Sequence, residues 1–194
     1  MNASDLTGFL DFLRGAERLK DTVRSSHTSN GRQESVAEHT WRLCLMALLL
    51  HDRFPDVDFS RLVKICIIHD LGEAIGGDIP APDQSEAGGK AKQERRDLLA
   101  LLKPLPARQQ KEIVDLWDEY ETATTAEAQL AKALDKLETI LQHTQGANPP
   151  DFDYLFNLEY GREYTSGTPT IEALREVLDK ETRRRANEAQ SPRS

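Results

Sequence analysis

Three residues concentrate the chemistry this sequence could do: His39, His69 and Asp70. Imidazoles and carboxylates bind metals and carry protons. Burying either is costly unless it is hydrogen-bonded, paired or metal-bound. Yet Ile65-Cys66-Ile67-Ile68-His69-Asp70 is an apolar run that ends in two strong ligands. His39 lies about 300° around its helix from Val36, on the arc shared with Leu43, Met46 and Leu50. Two histidines on separate apolar helices, with an adjacent aspartate, could converge on one divalent ion. Mixed His and carboxylate donors suit Mn²⁺, Fe²⁺, Co²⁺ or Zn²⁺ and tolerate Mg²⁺. A lone buried histidine is more often a satisfied core residue, and the set of three weighs the two readings about equally. His51-Asp52 serves as a control. It closes a helix beside Arg53 and Pro55, and His51 is about 18 Å along that helix from His39. These two histidines cannot share an ion, so His51-Asp52 reads as a solvated helix end.

Three ligands leave an octahedral ion short, and a carboxylate from another helix would help. Asp135, in Leu134-Asp135-Lys136-Leu137, is a candidate, although the apolar stripe Leu130, Leu134, Leu137 and Leu141 places it nearer the surface. Asp135 shares a side with Ala128 and Ala131, whose small size permits close helix approach. After His69-Asp70 come Glu73 and Asp78, which could orient a water or shuttle a proton. Equally, Glu73 could be an exposed helix-end acid and Asp78 a turn former after Gly76-Gly77. Glu38 is explained by helix capping. A phosphate ligand needs cations, and Lys20, Arg24 and Arg32 lie just before the His39 helix. Lys90, Lys92, Arg95 and Arg96 form a second basic run that reads as solvated.

The elements that position these residues are helical almost throughout, with no convincing period-two alternation. A first helix spans about Asp5 to Lys20. The polar stretch Asp21 to Glu34 connects it to a second helix, opened by the capping box Ser35-Val36-Ala37-Glu38 and running to about Asp52. That helix is apolar nearly all round and is expected at the centre. Ser60 is expected to cap a third helix, also apolar on most sides. Gly72, Gly76, Gly77, Pro80 and Pro82 mark a loop. Further helices are expected at Gly89 to Lys103, at Ala107 to Tyr120, and from a Thr124/Glu127 capping box to about Gln145. Phe152 to Tyr164 is aromatic and helical or irregular. Pro169 and Thr170 introduce a last amphipathic helix, and the chain turns polar from Arg183. The expectation is an all-α single domain of six to eight helices over residues 1–185, with a polar tail at 186–194.

Composition excludes several classes. The chain has 194 residues, 30% charged and 6% aromatic, with a net charge of −8. Its longest apolar run, Leu43 to Leu50, is far short of the ~20 residues of a membrane span. No basic-then-apolar leader opens the N-terminus. Cys44 and Cys66 sit in apolar segments and read as buried thiols of a reducing compartment, so a cytoplasmic location is expected. Acidic charge disfavours sequence-blind binding to nucleic acid.

The pattern His39, His69-Asp70, Asp135 resembles the H…HD…D signature of the HD-domain metal-dependent phosphohydrolases. Glu34-Ser35-Val36-Ala37-Glu38-His39 and His69-Asp70-Leu71-Gly72-Glu73…Gly77-Asp78-Ile79-Pro80 are similar to the 5′-deoxynucleotidase-like branch. The resemblance spans roughly residues 5 to 180. It implies a helical HD-domain bundle with His39, His69, Asp70 and Asp135 holding one divalent ion (Co²⁺, Mn²⁺ or Mg²⁺, with Zn²⁺ or Fe²⁺ also compatible). Glu73 and Asp78 would be the catalytic acids, and Arg24 would contact the substrate phosphate. The implied activity is hydrolysis of a nucleoside 5′-monophosphate to nucleoside and phosphate, by a homodimer. Studied members place a Trp after that arginine, against a ribose 2′-hydroxyl, and others have an aromatic three residues after it. Here those positions are Ser25 and His27, which makes them the expected selectivity residues. The alternatives are an HD hydrolase of another phosphoester and a non-catalytic helical interaction module.

Overall fold

The computed structural model describes residues 3–78 and 89–190. Its elements are α1 (Ala3–Ala16), β1 (Val23–His27), β2 (Gln33–Ser35), α2 (Val36–Leu50), α3 (Phe59–Ile68), the single turn α4 (Glu73–Gly76), α5 (Gly89–Leu102), α6 (Ala107–Thr122), α7 (Ala126–Gln145) and α8 (Pro169–Gln190). The expected all-α architecture forms, with one addition. The connector Asp21 to Glu34 folds in part as an antiparallel hairpin, pairing Val23 with Ser35 and His27 with Gln33. Its strands are too short and too polar to show an apolar alternation, so periodicity missed them. Gly31 makes the turn possible with φ +80°, a conformation that favours glycine.

Helix starts follow local chemistry. At α2 the expected capping box closes: Glu38 N–H donates to Ser35 Oγ at 3.3 Å, and Ser35 N–H donates to Glu38 Oε2 at 2.9 Å. α3 is capped by Asp58 rather than Ser60, its carboxylate accepting from Arg61 N–H at 3.1 Å. An anionic cap complements the positive helix N-terminus, and a serine two residues later is already inside the first turn. At α7 the cap is Thr125, not Thr124. Glu127 reaches across to accept from the Asp58 N–H at 2.8 Å instead of closing a second box.

The centre of the fold differs from the hydropathy-based expectation. α7 touches α2, α3, α6, α8 and β1. Its buried residues include Leu130, Leu134, Leu137 and Ile140 but also Lys132, Asp135, Glu138, Gln142 and His143. α2, expected there, buries Val36, His39, Leu43 and Ala47 and leaves Trp41 65% and Leu49 79% exposed. Asp135 is therefore buried, not on the surface as its place off the leucine stripe suggested. α7 is enclosed on nearly every side, so the stripe marks only part of its buried surface. The first helix ends at Ala16 and continues as a 3₁₀ turn to Lys20.

α8 runs through Gln190, with Ala186 buried, so residues 186–190 continue the helix rather than beginning a tail. Ion pairs of Arg184 with Glu181 and Glu188 bridge its exposed turns. Residues 191–194 lie outside the described residues, as do Pro80 and Pro82 of the expected loop. α8 also carries a buried clamp. The Arg175 guanidinium donates to Asp179 at 2.7 Å and to the backbone carbonyls of Asn157, Leu158 and Tyr160 at 2.6–2.8 Å. It thereby pins the aromatic segment 152–164 to the bundle. Arg175→Ala leaves those carbonyls without their donor and Asp179 with only its 3.0 Å pairing to Arg162. A loss of about 3–5 kcal/mol in denaturant-unfolding stability is expected, the scale of breaking a buried charge pair.

Candidate metal centre and substrate cavity

His39 projects from the first turns of α2, and His69 and Asp70 follow the last turn of α3. Asp135 comes from the middle of α7. Packing α2 and α3 against α7 brings the four together. His39 Nε2 lies 3.1 Å from Asp135 Oδ1 and 3.9 Å from Asp70 Oδ2, and His69 Nε2 lies 3.0 Å from Asp70 Oδ2. The two rings are 5.5 Å apart between centroids. Ligand atoms about 2.1 Å from one ion, at right angles, sit about 3 Å apart. His39, His69 and Asp70 are accordingly one of two groups able to converge on an ion among the described residues, the other being Glu34, His39 and Glu138.

Hydrogen bonding decides which nitrogens face the cluster. His69 Nδ1 lies 2.8 Å from the Cys66 carbonyl, which can only accept, so Nδ1 carries the proton. His39 Nδ1 pairs with Glu138, itself held by Arg42 Nε at 2.6 Å. Both Nε2 atoms are buried and without a hydrogen-bond partner. Two imidazole Nε2 atoms beside two carboxylates are, once any proton between them is displaced, the donor set of a divalent cation, and the outer partners orient them as in carboxylate–histidine–metal sites. Asp135 is oriented likewise. Tyr120 Oη and Lys136 Nζ both donate to its Oδ2, at 2.8 and 2.9 Å, which leaves Oδ1 facing His39. Trp117 Nε1 donates to the His69 carbonyl at 3.1 Å and steadies the other wall.

The electrostatics are cation-seeking. Burial alone would push the Asp70 carboxyl up, but His69, Arg24 and His39 hold it well below the usual carboxylate range. Asp135 behaves the same way, with Lys136, His39 and His69 outweighing burial. Glu73 goes in the opposite direction. Burial pushes its carboxyl up to about 10, helped by Asp70 and Asp78 and opposed by Lys90 and Arg24.

These residues lie at a cavity of about 990 Å³. His69, Asp70, Asp135, Glu73, Asp78, Arg24 and Ser25 all line it, and among the described residues His27 does not. Arg24, on β1, donates to Asp70 Oδ2 at 3.4 Å and to Thr139 Oγ1 at 3.1 Å, so its guanidinium borders the cluster directly. The other two connector cations are spent elsewhere. Arg32 forms a fork on Glu38 at 2.6 and 2.9 Å, and Lys20 lies 3.5 Å from Glu17. Gly72 holds α4 in place, because a Cβ there would stand 2.5 Å from the Glu94 carbonyl oxygen. That close approach lets α5 bring Lys90 to 3.4 Å from Glu73 and 3.9 Å from Asp78.

Lys90, expected to be solvated, instead lines the cavity beside Glu73 and Asp78. Glu138, Tyr120 and Lys136 also escaped sequence reasoning. Glu138 had a signal, since it sits three residues after Asp135 on the same helix, but hydropathy gives a buried glutamate no mark. Phe152, Phe156, Tyr160 and Tyr164 line the far wall of the cavity at four-residue spacing. The Ile79-Pro80 end of the motif lies outside the described residues.

An all-helical bundle that buries two oriented imidazoles against aspartates, at a cavity with its own arginine and lysine, is a metal-dependent hydrolase architecture. The chain belongs to the HD domain family, whose model matches residues 16–175. It is 36% identical over 147 residues to 5′-deoxynucleotidase HDDC2 of Bos taurus, covering 75% of this chain and 71% of that protein. It is 33% identical over 148 residues to 5′-deoxynucleotidase hdd1 of Schizosaccharomyces pombe, covering 73% and 74%. Among solved structures, a predicted metal-dependent phosphohydrolase from Magnetospirillum magnetotacticum superposes with a TM-score of 0.80 at 29% identity, over 97% of this chain and all of that one.

Proposed function

We propose that this protein is a divalent-metal-dependent phosphomonoesterase that hydrolyses (deoxy)nucleoside 5′-monophosphates to nucleoside and phosphate. The observation that carries this reading is the placement of Arg24 3.4 Å from Asp70, inside the His39/His69/Asp70/Asp135 cluster's own cavity. A phosphate held by that guanidinium is in contact with the cation site. The relatives named 5′-deoxynucleotidase, sharing about a third of their residues with this chain, support the nucleotide as substrate.

His39, His69, Asp70 and Asp135 would hold one ion, and Co²⁺, Mn²⁺ or Mg²⁺ are the first choices, with Zn²⁺ or Fe²⁺ also matching the donors. When bound, such an ion activates water and polarises a phosphoryl oxygen. Arg24 binds the phosphate oxygens. Glu73, with its Oε2 buried and unpartnered, holds the attacking water or passes its proton. Asp78, beside Lys90, handles the leaving oxygen. Ser25 lines the cavity next to Arg24 and would meet the sugar end of the substrate, with His27, two residues further along β1, as the second selectivity position. The screen that tests this measures phosphate release from ribo- and deoxyribonucleoside 5′-monophosphates with Co²⁺, Mn²⁺ and Mg²⁺. Release from a nucleotide with at least one ion is expected. Silence across the panel would sink the reading.

Ion removal should also register in stability. Asp70, Asp135 and Glu138 repel one another without a cation. An ion at 100-fold its Kd contributes about 2.7 kcal/mol, which is about 5–11 °C for a chain of this size. Chelation is therefore expected to lower the thermal midpoint by that amount, and re-addition of the ion to restore it. The same proposal takes the HD domain unit to the end of α8 at Gln190 and the active form as a cytoplasmic homodimer. Exposed Leu6, Leu10 and Leu13 on α1 and free Cys44 and Cys66 support these points. Light scattering in solution tests the dimer.

A further inference from the structure

One buried histidine in the cavity plays no part in the centre described above. His143 lies on α7, two turns beyond Asp135 and one beyond Thr139. It is 5% exposed and lines the cavity. Asn157 Oδ1 sits 2.7 Å from its Nδ1, so Nδ1 donates and Nε2 is left as a bare lone pair. That Nε2 is buried and has no partner in the protein. Its ring is fixed edge-on against Phe152, with 4.9 Å between centroids, and its carbonyl accepts from Asn148 Nδ2 at 2.6 Å. A fixed, unpaired acceptor on a cavity-lining residue is a group that a ligand's donor would satisfy, because an orphaned buried polar atom is costly. Its charge state agrees. Burial, with Arg24 and His27 nearby, lowers its pKa against Asn157 and Glu138, so the ring is neutral and Nε2 accepts rather than donates.

Position along α7 says what would donate to it. Asp135 belongs to the cation cluster. Thr139 accepts from Arg24, the phosphate-side guanidinium. His143 is the next turn on the same face, about 6 Å further along the helix. The part of a nucleoside monophosphate one ester bond beyond its phosphate is the sugar. We infer that His143 Nε2 accepts a hydrogen bond from a hydroxyl of the substrate's pentose ring, which makes it a substrate-binding residue for sugar recognition. This rests on the nucleotidase reading above.

The test compares three substrates with one base: the ribonucleotide, with 2′- and 3′-hydroxyls, the 2′-deoxynucleotide, with only the 3′-hydroxyl, and the 2′,3′-dideoxynucleotide, with neither. The wild type is expected to lose about 10-fold or more in kcat/KM at one step of this series, where the hydroxyl that pairs with Nε2 disappears. Loss at the first step assigns the 2′-hydroxyl and loss at the second the 3′-hydroxyl. His143→Ala is expected to flatten that step by lowering activity only on substrates carrying the hydroxyl, mostly through KM, while the thermal shift on ion addition is kept. A His143→Ala variant that weakens all three substrates equally, or none, overturns the inference in favour of a packing role. Should that variant not fold, equal wild-type turnover along the series overturns it by itself. A wild type silent on all three removes the nucleotidase reading and this inference with it, whereas activity without a step removes only this inference.

Discussion

Asp70→Ala is expected to lower ion-dependent phosphate release by at least about 10²–10³-fold, the scale of deleting one preorganised charge from a catalytic site. Asp70 is the residue on which the cluster converges. Its Oδ2 is 3.0 Å from His69 Nε2, 3.9 Å from His39 Nε2 and 3.4 Å from Arg24 Nη1. Alanine removes a ligand oxygen and also frees Arg24 from the carboxylate that holds it beside the cluster. The effect is thus on ion affinity and on phosphate placement together, and the two are separable. The thermal shift on adding Mn²⁺ should disappear in Asp70→Ala, while the ion-free protein keeps its helical circular dichroism. Retained activity with a retained thermal shift would remove Asp70 from the site.

Glu73→Gln is expected to keep the ion and lose about 10²–10⁴-fold in kcat, the usual worth of a positioned acid or base. Glu73 is 2% exposed, and one oxygen is 3.4 Å from Lys90 Nζ. It makes no close contact with His39, His69 or Asp135, which is why metal binding should survive. Glutamine is isosteric and still donates and accepts hydrogen bonds, but it cannot exchange a proton. A large loss in kcat therefore reports proton transfer, whereas near-normal turnover would leave Glu73 only the placing of water. If the ion-induced thermal shift vanished instead, Glu73 would join the ligand set.

His39, His69 and Asp70 were legible from sequence because they violate hydropathy. Ionisable residues in apolar helical runs stand out against their neighbours, and the cost of burying them unpaired forces a reason. Asp135 shows the opposite case. Its neighbours include buried Lys132, Glu138 and Gln142, so its helix looks half-polar and the aspartate looks superficial. Spacing lists Arg24 with Lys20 and Arg32 without choosing among them, and only the family resemblance singles it out. What sets it beside the cluster is a hairpin whose five- and three-residue strands carry no apolar alternation. Lys90 looked solvated for the same reason. Its partners Glu73 and Asp78 are more than ten residues away, across a segment whose path periodicity does not describe.

What the sequence determined by itself is the helical class, the capping of α2, and the presence of two histidines and an aspartate with something to bind. These follow from period, spacing and burial cost, which are local quantities. Packing decided that α7 rather than α2 is the hub, and it turned Asp135 inward against its helical periodicity, as only the family resemblance had implied. It also decided that each imidazole presents Nε2, and that one arginine of several borders the cluster. Those outcomes depend on which helices enclose which, and on partners far apart in sequence, such as Glu138 for His39 and Thr139 for Arg24. A polar residue at the centre of a fold is marked by its partners, and only packing brings them within reach.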